Sequence, residues 1–190
     1  MVLKLLWSAS VLARLTAAAV LGWMAIEWLM AGKPSVLGAI SGAVAGLVAI
    51  TPASGFVKPM PAMLIGVAAG VICYLMVAKV KKVFGYDDAL DAFGVHGIGG
   101  TLGALLTGVF ATKEVNDLRM GKPMGLLDGD AGQMVNQLIA VLISWGLAIV
   151  GTLVILKICD VIFVVRVSKE EETEGLDLSM HGEEGYNLES

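Results

Sequence analysis

Five long apolar stretches joined by polar loops limit what this chain can fold into. They run from about Leu15 to Met30, Val36 to Ala53, Ala62 to Ala78, Ala89 to Ala111 and Met134 to Val165. A bilayer core about 30 Å thick takes an apolar helix of roughly 20 residues, and each stretch meets or approaches that length. Hydrocarbon offers no partner to a backbone N–H or C=O, so segments of this kind satisfy their own hydrogen bonds as helices. Composition agrees: 57% of residues are hydrophobic, 16% are charged, and mean hydropathy is +0.82. Soluble domains carry about 45–50% apolar and about 25% charged residues. The expected fold class is all-α, a polytopic integral membrane protein with about five transmembrane helices. Met1 to Ala19 has the lysine, apolar run and small residues of a signal peptide, but Arg14 interrupts it and the run continues to Trp28. It reads as a first membrane helix.

The net charge of −4 is unevenly spread. Eight acids face the single Lys169 between Ser168 and Ser190, and the chain before them is mildly basic. By charge alone that end is a disordered acidic tail. In the short loops, Lys33, Lys79, Lys81 and Lys82 lie on one side and Lys58 on the other. The positive-inside rule then places the first-second and third-fourth loops, and the end of the fifth helix, in the cytoplasm. Lys113, Arg119 and Lys122 run against that rule, because they belong to the longer loop expected outside. About thirty residues in the fifth stretch give about 45 Å of helix, more than the bilayer needs, so it tilts or projects into the cytoplasm. Lys157 and Asp160 near its end suit projection.

Glycine spacing carries the packing. Gly38, Gly42 and Gly46 recur every four residues, as do Gly66 and Gly70, and Gly99 and Gly103. Each set forms a smooth strip on one helix face, where backbones approach closely. His96 stands out within this pattern, since an ionisable residue at membrane depth is costly and marks a pathway by default. The plainer alternative is a core histidine satisfied by a neighbouring helix. At α-helical spacing, His96 shares a face with Gly99, Gly100 and Gly103. The imidazole would then sit above bare backbone, with room for a small solute or a partner helix. A neutral imidazole can donate from one nitrogen and accept at the other.

Several function classes fall away. No basic stripe with interleaved aromatics points to nucleic acid. Cys73 and Cys159 lie singly in apolar runs, without metal-site or disulfide spacing. No nucleophile-base set or ligand cluster suggests an enzyme, and no cofactor is expected.

The stretch DDALDAFGVHGIGGTLGALLTGVFA, from Asp87 to Ala111, resembles ammonium transporters of the Amt/Mep/Rh family. GWMAIEW at Gly22–Trp28, GKPS at Gly32–Ser35, GAVAGLVAITPASG at Gly42–Gly55 and EGLDLSMHGEEGYN in the tail follow the same order. The tail is similar to that of microbial Amt proteins rather than Rhesus proteins. The resemblance covers about Leu15 to Asn187, and implies the last five helices of an eleven-helix fold built from two inverted halves and a final long helix. It gives an expected organisation of a poorly matching start (1–14), a transmembrane region (15–167) and an acidic cytoplasmic tail (168–190). A truncated, internally initiated or frame-shifted reading frame would account for the poorly matching start.

The resemblance further implies ammonium or ammonia transport, with His96 as the second of a facing histidine pair and Thr51 beside the pore. A helix stop before Pro52 is the plainer account of Thr51. Asp88 and Asp91 match the family's carboxylates at the start of the His96 helix, where capping of free N–H groups is the expected role. Gly175, Asp177 and His181 match the regulatory tail. The first pore histidine, the phenylalanine gate and the tryptophan of the outer recruitment site would lie on helices outside this chain. Implied partners are the lipid bilayer of the inner or plasma membrane, two further copies in a homotrimer, and a PII-type signalling protein at the cytoplasmic face. The alternative is a non-conducting membrane subunit or remnant that retains the fold and tail.

Overall fold

The computed structural model describes residues 2–163 and 165–183, and all their regular structure is helical. Helix α1 spans Val2–Ala31, α2 Val36–Ile50 and α3 Pro59–Leu75. α3 continues through a π turn, Met76–Val80, into the short α4, Lys81–Phe84. A second π turn, Phe93–Gly97, opens α5, Ile98–Phe110, and α6 runs from Gly132 to Ile162. The chain divides into two compact units, Met1–Leu142 and Ile143–Ser190.

Helix starts follow local chemistry. Ser35 caps α2 by accepting a hydrogen bond from Gly38 N–H at 2.9 Å. Glu27 at the end of α1 accepts from Ser35 Oγ at 2.8 Å and from its N–H at 3.2 Å. α3 opens on Pro59, whose missing N–H costs nothing in a first turn. α4 closes on Gly85, in the left-handed region at φ 62.

In the first unit, glycine strips set the helix pairs. Gly42 faces Trp23, and Gly46 faces Ala19 and Leu15, so α1 and α2 run antiparallel. Gly66 faces Leu15 and Gly70 faces Ala19, so α1 and α3 run parallel. Gly99 lies against Ala45 and Val48, and Gly103 against Ala49, so α2 and α5 also run parallel. An added Cβ at Gly103 would lie 2.1 Å from the Ala49 carbonyl oxygen, and one at Gly70 would lie 2.2 Å from that of Ala19. Neither contact is possible without moving a helix. The close approach expected from the glycine repeats is therefore present. Two cores lie between these helices. One gathers Leu15, Ala49, Ile50, Ala53, Val57, Ala62, Ile65 and Ala69, and the other Trp23, Ala45, Cys73, Tyr74 and Val95. Trp23 and Tyr74 meet edge to face at 5.6 Å.

The spans depart from expectation at their ends. Among the described residues, Leu12–Ala31, Pro59–Phe84, Phe93–Phe110 and Gly132–Ile162 are long and apolar enough to cross a membrane, and Val36–Ile50 is a shorter apolar helix. α2 stops at Ile50 rather than Ala53, because Pro52 follows and the chain turns from Thr51 to Phe56. Helix before α5 begins at Phe93 rather than Ala89, since Asp91 has a left-handed backbone at φ 55.

The loop before α6 is organised by Asp128. Its carboxylate accepts from Thr112 Oγ1 at 2.9 Å, Lys113 N–H at 3.2 Å and Met124 N–H at 2.9 Å. Burial pushes the Asp128 carboxyl up, but these bonds and the Lys113 charge outweigh it and hold the group below its ordinary value. The depressed pKa means this anchoring is complete above the unfolded value of about 3.9 and is lost as pH falls through the lower folded value. Arg119 pairs with Asp130 and donates to Gln133 Oε1 at 2.9 Å, and Lys113 Nζ donates to Gly121 C=O at 3.1 Å. Two of the three cations that oppose the charge rule thus serve as loop anchors.

In the second unit, the described part of the acidic tail, up to residue 183, contains local helical structure rather than the disorder its charge implies. α7, Lys169–Glu174, opens with a capping box: Ser168 Oγ accepts from Glu171 N–H at 3.2 Å, and Glu171 accepts from Ser168 N–H at 2.8 Å. The N–H and hydroxyl of Ser168 hold the Glu171 carboxyl below its ordinary value. Glu170, Glu171 and Glu172 occupy the first turn, where a helix dipole favours negative charge.

Replacing Gly103 by Ala should push α5 off α2 and cost about 1–3 kcal/mol, as overpacking does. The same change at Gly151, with nothing within 4 Å, should cost nothing sterically. Thermal unfolding of the two variants in detergent checks the contrast.

Candidate functional site around His96

The segment leading to His96 is built from side chains on both sides of a tight loop. Lys81, in α4, donates to Asp91 Oδ1 at 2.7 Å and also to the Asp88 carbonyl. That bond closes residues 82–90 into a loop and holds Asp91 in its left-handed conformation. Asp88 Oδ1 accepts from Ala92 N–H and its Oδ2 from Phe93 N–H, each at 2.9 Å. Asp88 is therefore the cap expected of it. Asp91 is not: its side chain pairs with a lysine, because its backbone turns the carboxylate toward α4 rather than along the coming helix.

The π turn then decides where the imidazole goes. An α turn would stack Val95 and His96 beneath Gly99. Here Ile98 N–H reaches the Phe93 carbonyl, a five-residue closure, and Gly94 and Val95 move under Gly99 instead. The buried row becomes Val95, Gly99, Gly103 and Thr107, and His96 stands exposed beside it. Of the two occupants expected for the glycine strip, partner helices α2 and α3 fill it, and His96 lies beside the strip rather than above it.

Thr51 is exposed at the end of α2, where Oγ1 donates to Leu47 C=O at 2.8 Å. Ala49 faces Gly103, so Thr51 lies about nine residues further along the bundle than His96, roughly 13 Å at helical rise. The structure does not bring the two together. Gly175, at φ 100, ends α7, while Asp177 and His181 are the first and last residues of a π turn in the second unit. Among the described residues, no three His, Cys, Asp or Glu side chains gather as a metal site.

Sequence reasoning missed Lys81, Val77 and Tyr86. Lys81 counted only as a charge in a loop, and its partner ten residues on is no helical spacing. Tyr86 meets Phe93 edge to face at 5.6 Å, bracing the start of the π turn. Asp88→Ala should leave two N–H groups uncapped and cost about 0.5–2 kcal/mol, while Asp88→Asn should retain most of the cap. Unfolding midpoints in detergent measure both.

Comparison with known proteins gives this arrangement its context. The Ammonium Transporter Family model matches residues 4–186. An ammonium transporter of Bacillus subtilis is 49% identical over 170 residues, which is 90% of this chain and 41% of that protein. One from Aquifex aeolicus is 51% identical over 173 residues, 91% of this chain and 40% of that protein. The crystal structure of Saccharomyces cerevisiae Mep2 superposes with a TM-score of 0.80 at 32% identity, over 88% of this chain and 38% of that one. The chain thus spans about two fifths of the length of these relatives. Sequence, helical membrane architecture and fold agree with the expected resemblance, and the chain belongs to the ammonium transporter family.

Proposed function

We propose that this chain serves transmembrane transport of ammonium or ammonia, with His96 lining the path. The observation that carries the reading is an imidazole left exposed near the start of an apolar helix of membrane-spanning length, beside a face packed through glycines. Ammonium loses its water in an apolar passage, and a bare charge there is costly. It must shed a proton or find new partners, and an imidazole that donates at one nitrogen and accepts at the other supplies both. Family membership supports the substrate. Thr51 would act near the far end of the passage.

The same reading places the chain in the cell membrane as part of a homotrimer. Asp88 and Asp91 would lie toward the cytoplasm, together with the acidic tail. Gly175, Asp177 and His181 would then present a regulatory surface to a PII-type protein. The short-loop lysines support this orientation. A second reading, a non-conducting membrane subunit, draws on the histidine count. The chain has two, and the other, His181, is in the tail. Growth on limiting ammonium of cells lacking their own transporters separates the two. Rescue by this chain supports conduction, and correct insertion without rescue favours the second reading.

With the remaining helices of a relative supplied, His96→Ala removes a partner worth about 1–3 kcal/mol to a desolvated polar group. At about 1.4 kcal/mol per tenfold, labelled methylammonium uptake per inserted molecule should fall at least several-fold, with insertion unchanged. Unaltered uptake and selectivity would remove His96 from the path. For orientation, Ser179→Cys in a chain lacking Cys73 and Cys159 should resist an impermeant thiol reagent in intact cells and react after permeabilisation. Labelling from outside would reverse the topology.

A further inference from the structure

The π turn that carries His96 does not stand alone. It packs against the other π turn, Met76–Val80, and the point of contact is Gly94 against Val77. A Cβ at Gly94 would lie 2.8 Å from Val77 Cγ2, 3.5 Å from Val77 N and 3.6 Å from Met76 Cβ. Valine has one strongly preferred χ1 rotamer in a helix, so rotation does not relieve such a contact. Gly94 is buried, and Val77 packs on the core of Trp23, Ala45, Cys73, Tyr74 and Val95. One residue on, the Cys73 thiol, at 3.9 Å, donates to the Val95 carbonyl inside the same turn. Asp88 and Tyr86 hold the turn at its start, and Gly99 holds the helix beyond it. The remaining freedom is rotation of the turn about Gly94, and that rotation would swing His96.

We infer that Val77 is a positioning residue for His96: by filling the space beside Gly94 it holds the Phe93–Gly97 turn and sets the direction of the imidazole. It acts through the backbone and touches no substrate. A π turn is one residue away from an α turn, and the step between them turns a helix face by about 100° at 3.6 residues per turn. With Val77 in place, Gly94 has no room to rotate, and the exposed setting of His96 is maintained. For its consequence in uptake this inference rests on the conduction reading. For its structural content it does not.

The full chain in nanodiscs, with 15N-labelled histidine, tests it directly. Only His96 and His181 contribute signals, so His181 is an internal reference. Gly94→Ala should move the His96 imidazole resonance and leave that of His181 in place. Val77→Ala alone should also move it, by loosening the slot without adding bulk, which keeps the test decisive if Gly94→Ala does not insert. The double variant, where the new methyl takes the space vacated by Val77, should return the resonance toward the original. A His96 signal unmoved in Val77→Ala, or no recovery in a double variant that inserts, would overturn the inference. Uptake per inserted molecule, measured in cells with the remaining helices of a relative supplied, should fall several-fold in the single variants and recover in the double. Resonances that move and recover while uptake stays constant would uphold the positioning role and sink the conduction reading instead.

Discussion

Two helices in hydrocarbon gain little by pressing leucine on leucine, because lipid tails are equally apolar. What remains is dispersion at close range and the hydrogen bonds each helix makes for itself. This bundle meets that condition by bringing backbones together. Ala49 C=O lies where a side chain on Gly103 would be, and Ala19 C=O where one on Gly70 would be. A core made mainly of alanines, with Leu15, Ile50 and Ile65 as its larger members, would be poor in water. Here it allows α1, α2, α3 and α5 to lock at fixed registers.

Those registers govern the site. With Gly99 and Gly103 seated on α2, α5 cannot turn to suit the segment before it, so the mismatch is absorbed in the Phe93–Gly97 π turn. Val95 stays in the packed row, Gly94 is buried beside it, and His96 is left outside. Around the turn, Asp88 supplies the two hydrogen bonds its first N–H groups lack, and Lys81 holds Asp91. Lys81 and Asp91 are about a third exposed, and pairs of that kind add little to stability. Their contribution is geometric: they close the loop from which the His96 helix starts.

Polar chemistry is kept to the ends of the helices. Asp128 gathers the loop between α5 and α6 through three hydrogen bonds, and Ser168 with Glu171 starts the tail helix. Both carboxylates are held ionised by N–H and O–H donors rather than by buried ion pairs. Such caps serve wherever water reaches the backbone.

Much of this was legible in the residues. Apolar stretches of bilayer length required helices, since nothing else satisfies a backbone in hydrocarbon. Glycine every fourth residue required close pairs. Asp88 ahead of the apolar run reads as a cap because a carboxylate there meets free N–H groups. The motifs from Gly22 to the tail identified the family. Other features depended on three dimensions. Asp91 looks like a second cap, yet its partner is Lys81, ten residues away across a loop, a contact no local spacing predicts. The acidic tail reads as disordered by charge, yet Lys169–Glu174 forms a helix started by one serine and one glutamate. Above all, the sequence by itself determined that His96 lies near the start of a glycine-rich apolar helix of membrane-spanning length. Only the tertiary structure decided which way it faces, because helical periodicity assumes an unbroken α turn. The Phe93–Gly97 π turn, with Gly94 packed against Val77, interrupts that periodicity where His96 sits.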